Sequence, residues 1–174
     1  DALQVDSLPV APTALVANLP YNVSVPVLLR MFELFPDWTR GLVMVQLEVA
    51  DRLVAPPGSK VYGVPSAKTA WYAETSRVGT VPPKVFWPVP NVDSGLVKIT
   101  RRPAPETEAT REETFRVIDA AFAQRRKMLR AALSGMVGSA VAASEAIERA
   151  GVQPTLRGEM LGVRDFAAIA AELR

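Results

Sequence analysis

Thr13-Ala14-Leu15-Val16-Ala17, running straight into Asn18-Leu19-Pro20-Tyr21, is the stretch whose reading decides the fold. The apolar run predicts a short strand buried on both faces, as parallel strands of α/β sheets are. A proline-containing turn breaks it, and an apolar segment, Val25 to Phe35, follows with the spacing of a helix. In open α/β sheets the loops at the carboxyl ends of strands are where ligands bind. An amide, two conformationally restricted carbonyls and an aromatic ring are therefore expected at a binding loop.

That set of groups suits one kind of chemistry. The exocyclic amine of a nucleobase is a poor nucleophile because its lone pair is delocalised into the ring. Two fixed acceptors, the Asn18 side chain and a backbone carbonyl beside Pro20, would hold both N–H groups and turn the lone pair toward an electrophilic methyl group. Acceptors placed before the reaction supply the catalysis. Tyr21 would stack on the base, a contact worth roughly 1–3 kcal/mol. Taken alone, four such residues more often mark only a strand-to-helix turn in which Asn caps and Pro starts the next element.

Moving outward, Pro26 sits early in the first helix, where its missing N–H does little harm, and Pro36-Asp37 ends it. Gly41 to Leu47 predicts a second strand and Glu48 to Leu53 a short helix. Residues 55–65 read as a mobile loop, and Ser66 as the cap of a helix reaching about Glu74. Thr75–Val81 and Val92–Thr100 predict two antiparallel strands, with the prolines between them confined to a wide connection. Thr110-Arg111-Glu112-Glu113 is a capping box opening a helix to about Phe122. A further helix is expected over 126–133, another over Ala140–Ala150 stopped by Gly151, and a last one over Val163–Leu173. Residues 101–109 break the composition. The expected domains are therefore 1–100, a linker at 101–109, and a small helical domain at 110–174.

Composition narrows the chemistry. The 174 residues contain neither cysteine nor histidine, which removes disulfides, thiol nucleophiles, the Ser-His-Asp triad and the usual zinc sites; no metal is expected. No membrane span or signal peptide is visible, so the expected location is the cytoplasm. The ten glycines form no G-x-G turn after a strand, so no dinucleotide-type cofactor loop is present. Charge is uneven: residues 1–100 are balanced, whereas residues 101–174 carry the whole net charge of +2. Arginine outnumbers lysine fifteen to five, which favours bidentate phosphate contacts. Arg125, Arg126, Lys127 and Arg130, read as one helix face, would suit RNA phosphates, although such a face is usually only solvated. Arg52 and Arg101-Arg102 are weaker candidates for the same surface.

Two more stretches complete a pattern. Residues 86–94 (Phe-Trp-Pro-Val-Pro-Asn-Val-Asp-Ser) have the form F-x-P-x-P-x-V-D-S, and residues 121–130 the form A-F-x-x-R-R-K-x-L-R. With Asn18-Leu19-Pro20-Tyr21, residues 46–52 (Gln-Leu-Glu-Val-Ala-Asp-Arg) and residues 157–161 (Arg-Gly-Glu-Met-Leu), the chain closely resembles the rRNA adenine dimethyltransferases over nearly its whole length. The bacterial small-subunit branch fits best. The resemblance implies an α/β fold: the C-terminal part of a Rossmann-like S-adenosylmethionine methyltransferase sheet, followed by a small all-helical RNA-binding domain. It implies transfer of two methyl groups from S-adenosylmethionine to each of two adjacent adenosines of 16S rRNA during small-subunit maturation.

On the same basis Asn18, Leu19, Pro20 and Tyr21 match the catalytic loop, and Phe86 the second aromatic over the flipped base. Asp1 and Asn18 match cofactor-binding positions. A core phenylalanine under the hairpin is the plainer reading of Phe86, and Trp87 is expected to point elsewhere. The family's Gly-rich loop and ribose-binding Glu fall upstream of Asp1. The 174-residue chain by itself is therefore expected to be inactive, with an exposed edge at Thr13–Ala17 open to self-association. The 23S rRNA branch of macrolide resistance and non-catalytic nucleic-acid-binding relatives are the competing readings. Leu19 with the complete 86–94 stretch favours the 16S branch, and the intact Asn-Leu-Pro-Tyr disfavours a pure binder.

Overall fold

The computed structural model describes residues 2–174 and divides them into two compact units, each assembled from two chain segments. The first takes residues up to Val54 together with Tyr72–Pro103. The second takes Ala55–Trp71 together with Ala104–Arg174. The split expected at 101–109 thus misplaces residues 55–71, which group with the helices.

The first unit is a four-stranded mixed sheet in the order β1-β2-β4-β3. Strand β1 (Ala14–Asn18) runs parallel to β2 (Arg40–Gln46), and helix α1 (Ser24–Leu34) connects them. Helix α2 (Leu47–Leu53) follows β2 directly. Strands β3 (Ala73–Val81) and β4 (Ser94–Arg101) form the expected antiparallel pair, β4 lying against β2. Val43, Val45, Val97 and Ile99 are wholly buried along the two central strands.

Beside them Phe32 stacks between Trp38 and Tyr72, each ring centroid 4.8 Å from its own. The Arg101 guanidinium lies 5.0–5.8 Å from all three rings and donates to the Phe32 and Phe35 carbonyls. Burial lowers its pKa, against the opposing pull of Tyr72 and Asp37. Arg101 is half-buried, its guanidinium turned onto these rings and carbonyls. Arg52 and Arg102 are likewise engaged, with Glu48 at 2.6 Å and Glu74 at 3.8 Å.

Strand β1 departs from expectation. Among the described residues it has one neighbour, β2, and its residues alternate between exposed and half-buried, with Val16 77% exposed. An apolar run alone cannot distinguish a strand covered on both faces from one whose outer edge and one face are open.

The second unit is helical. Helix α3 (Val64–Tyr72) begins three residues earlier than a cap at Ser66 implies, and it ends two residues before Glu74. Ser66 does not precede it; its hydroxyl reaches back to accept the Gly63 N–H at 3.1 Å. The 55–65 segment is not a loose loop. Gly58 N–H donates to the Glu159 carbonyl at 2.7 Å, and the Tyr62 phenol, 2% exposed, donates to the Leu161 carbonyl at 2.8 Å. Burial, and secondarily Asp165, push the Tyr62 pKa far above its ordinary value.

Helix α4 (Arg111–Ala123) carries the complete capping box: Thr110 Oγ1 accepts from Glu113 N–H, and the Glu113 carboxylate accepts from Thr110 N–H. That second bond, first among several causes, lowers the Glu113 pKa. Two short helices, α5 (Leu129–Ala132) and α6 (Ser134–Val137), lead into α7 (Ala140–Arg149). Gly151, at φ +75°, ends α7 with the paired Gly151 N–H to Glu148 and Val152 N–H to Ile147 bonds of a Schellman motif. Helix α8 (Val163–Glu172) closes the unit. Its core gathers Tyr62, Val117, Ile118, Leu129, Ile147 and Phe166.

Candidate active site

The catalytic-loop candidates sit where the topology of the first unit predicts. Asn18 is the last residue of β1, paired in register with Met44, and is exposed at the carboxyl end of the strand. Leu19 continues the ladder by one bond, its N–H donating to the Met44 carbonyl at 3.0 Å, and is 6% exposed. The chain then turns. The Pro20 carbonyl accepts from Val23 N–H at 3.2 Å, and Ser24 Oγ donates to the Tyr21 carbonyl at 3.4 Å, tying the loop to the start of α1. The Asn18 amide therefore stands on a loop anchored by a strand on one side and a helix on the other.

Tyr21 is half-buried, and its hydroxyl lies 2.7 Å from Ser94 Oγ at the start of β4. Ser94 is fully buried. This residue was missed as a site residue, although it closes the 86–94 stretch; nothing in that spacing says which ring it meets, 73 positions away. The bond fixes the Tyr21 ring by its outer end, and the residue lines a cleft described below.

Opposite the loop lies the connection between β3 and β4. It contains a single 3-10 turn, Pro83–Val85, and Phe86 N–H donates to the Pro83 carbonyl at 3.0 Å. An open cleft of about 420 Å³ lies between residues 18–21 and this connection, which contributes Phe86, Trp87, Pro88 and Pro90. Phe86 is half-buried and faces the cleft, so the core-phenylalanine reading does not hold. Trp87 does not point elsewhere: it lines the same cleft and is 94% exposed. A planar base entering here meets aromatic rings from both walls and amide and carbonyl acceptors at the strand end.

The cofactor side is less complete. Asp1 lies outside the described residues. Among the described residues, none of those lining the cleft is a carboxylate. No group of metal-ligating side chains occurs among the described residues, and no helix is long and apolar enough to cross a membrane.

The basic cluster, in the second unit, is not one helix face. Helix α4 stops at Ala123, and 125–127 form a turn before α5. Arg125 Nε meets the Glu159 carboxylate at 2.8 Å, and its Nη2 donates to the Lys60 carbonyl at 2.8 Å. It is a structural residue, linking the 121–130 and 157–161 stretches noted in the sequence. Arg126, Lys127 and Arg130 are exposed.

A model of the ribosomal RNA adenine dimethylase family matches residues 3–173. The ribosomal RNA small subunit methyltransferase A of Kineococcus radiotolerans is 70% identical over 172 residues, an alignment covering 98% of this chain and 57% of that protein. The protein of the same name from Cutibacterium acnes is 64% identical over 179 residues, covering 99% and 60%. The chain thus spans somewhat under two thirds of these relatives. A dimethyladenosine transferase from Plasmodium falciparum superposes with a TM-score of 0.79 at 19% identity, over 95% of this chain and 68% of that one. The 23S rRNA methyltransferase ErmE gives 0.67 at 22%, over 99% and 69%. These two likenesses establish the Rossmann-like methyltransferase fold.

Proposed function

Because the chain belongs to the ribosomal RNA adenine dimethylase family, we propose that it carries the catalytic loop and the RNA-binding helices of a cytoplasmic enzyme that dimethylates two adjacent adenosines of 16S rRNA. S-adenosylmethionine, when bound, supplies the electrophilic methyl group. The observation that carries this reading is the placement of the Asn18 amide at the carboxyl end of β1, in one cleft with Tyr21 and Phe86.

In this reading an adenine extruded from the RNA lies between the Tyr21 and Phe86 rings, which repay part of the stacking lost on extrusion. Asn18 Oδ1 accepts one N–H of its exocyclic amine. The second acceptor is the carbonyl beside Pro20. With the Pro20 oxygen already engaged by Val23 N–H, that role falls to Leu19, which also lines the cleft. The two acceptors draw the amine out of conjugation, and they gain most as its nitrogen becomes tetrahedral. The exposed Arg126, Lys127 and Arg130 of the helical unit hold RNA phosphates. The open edge of β1 is where the isolated chain self-associates.

Asn18→Ala in the full-length protein tests the reading. Loss of a preorganised polar group of this kind typically costs about 10²–10³ in rate. Single-turnover methyl transfer falls by that factor while the dissociation constant for RNA stays within a few-fold. Transfer at the unmutated rate overturns the assignment.

A further inference from the structure

The mouth of the cleft carries an aromatic ring to which the catalytic reading gives no task. Trp87 is 94% exposed, whereas the other two tryptophans are 1% and 7% exposed. Trp38 stacks on Phe32 and donates its indole N–H to the Met31 carbonyl; Trp71 packs edge-on against Phe115. Those two rings are structural. Trp87 has the largest apolar side chain in the connection and leaves nearly all of it in water.

Its surroundings select a class of ligand. Phe86, extended at φ −108° and ψ 151°, and Trp87 follow one another in the chain and line the same cleft, one half-buried and the other at the rim. Val85, Val89 and Val92 are also exposed, at 59%, 60% and 41%. Between Pro82 and Val92 the only charged side chain is Lys84. Such a rim offers little to phosphates and suits the flat apolar face of a base. Prolines at 82, 83, 88 and 90 fix φ along the connection, so little conformational entropy remains to be lost when a ligand settles on it.

We propose that Trp87 stacks on the unpaired nucleobase adjoining the one that enters the cleft, and so positions the RNA strand for reaction. The proposal rests on the reading of the cleft as an adenine site. Extruding one base strips its neighbour of a stacking partner, and the uncovered face then lies at the rim where Trp87 is displayed. Trp87 in this role recognises a ring face and not a hydrogen-bonding edge, so it tolerates any base there.

The test uses the full-length protein and an RNA hairpin whose loop contains consecutive unpaired adenosines, alongside the same hairpin made abasic on either side of the target. Base-on-aromatic stacking is worth roughly 1–3 kcal/mol, so Trp87→Ala weakens binding of the intact hairpin by about 5- to 150-fold. The dependence of binding on salt is unchanged, because no phosphate contact is lost. Trp87→Phe binds within a few-fold of the unmutated protein yet loses the RNA-induced quenching of the exposed tryptophan. The abasic hairpin binds the unmutated protein and Trp87→Ala alike.

Equal binding of the intact hairpin by all three proteins overturns the proposal. So does a Trp87→Ala variant that changes only self-association in sedimentation, which makes the rim a contact between protein chains. Failure of the two ideas is separable. If Asn18→Ala abolishes transfer and Trp87→Ala binds normally, only the stacking role falls. If Trp87→Ala weakens binding and the unmutated protein methylates no adenosine, the stacking role stands and the adenine-site reading falls.

Discussion

At the scale of single residues, the contact that holds the candidate site is between Tyr21 and Ser94. Tyr21→Phe keeps the ring but leaves the Ser94 hydroxyl, fully buried, without that partner. An unsatisfied buried group costs about 1–3 kcal/mol, whereas removing both partners is close to neutral. Denaturant unfolding is therefore expected to show a loss of that size for Tyr21→Phe, partly recovered when Ser94→Ala is added. Methyl transfer falls more than RNA binding, since the stacking surface survives. Asn18 and Tyr21 were legible in the sequence because their types and their position after an apolar run already imply a strand-end loop. Ser94 and Trp87 were not legible. Which ring a buried hydroxyl meets, and which way an indole leaves a proline-rich turn, depend on chain folded from elsewhere.

At the scale of elements, α2 lies so close to β4 that a side chain is excluded between them. A Cβ added at Gly95 would fall 2.4 Å from the Ala50 Cβ and 3.4 Å from Leu47 Cδ1. Gly95→Ala is expected to destabilise the fold by about 1–3 kcal/mol, as overpacking does. Adding Ala50→Gly should recover part of that loss in the same unfolding assay. Activity should fall with it, because Gly95 adjoins Ser94. The strands and most helices were legible from periodicity and caps, the box at Thr110 most directly. The length of the break after α4 was not: a helix is expected to resume at 126, and it resumes only at Leu129. Gln124-Arg125-Arg126-Lys127-Met128 is composed of good helix formers, and propensity alone would continue the helix. Tertiary bonds compete with it: Arg125 reaches Glu159 and the Lys60 carbonyl, while Leu129 and Arg130 N–H groups donate to the Leu156 and Pro154 carbonyls.

At the scale of the whole molecule, the net positive charge belongs to residues 101–174, and the exposed cations of the α4–α5 turn and of α5 are its candidates for RNA. Arg126→Ala, Lys127→Ala and Arg130→Ala combined should flatten the log–log salt dependence of RNA binding in the full-length protein by about 0.7–0.9 per lost phosphate contact. Thermal unfolding should hardly change. Arg125→Ala should do the opposite, lowering stability through its lost partners with little effect on the slope. An unaltered slope in the triple variant would assign these cations to a solvated surface. The even division into a catalytic and a helical half looked plain in the sequence because only the 101–109 segment changes composition. Residues 55–71 carry no such mark; Tyr62 reads as a loop tyrosine until its hydroxyl is seen on Leu161.

The placement of residues 55–71 also bears on how such a protein can change by descent. The chain passes between units at 54–55, at 71–72 and at 103–104. A genetic crossover in the 101–109 segment, the one place where the sequence invites it, would deliver a helical unit stripped of Tyr62 and Ala67, both members of its core. Neither unit is a cassette. Exchange between relatives therefore keeps the helical core whole only when the inserted segment travels with it, and the Tyr62 hydroxyl, whose acceptor is the main-chain carbonyl of residue 161, finds its partner again whatever side chain stands there.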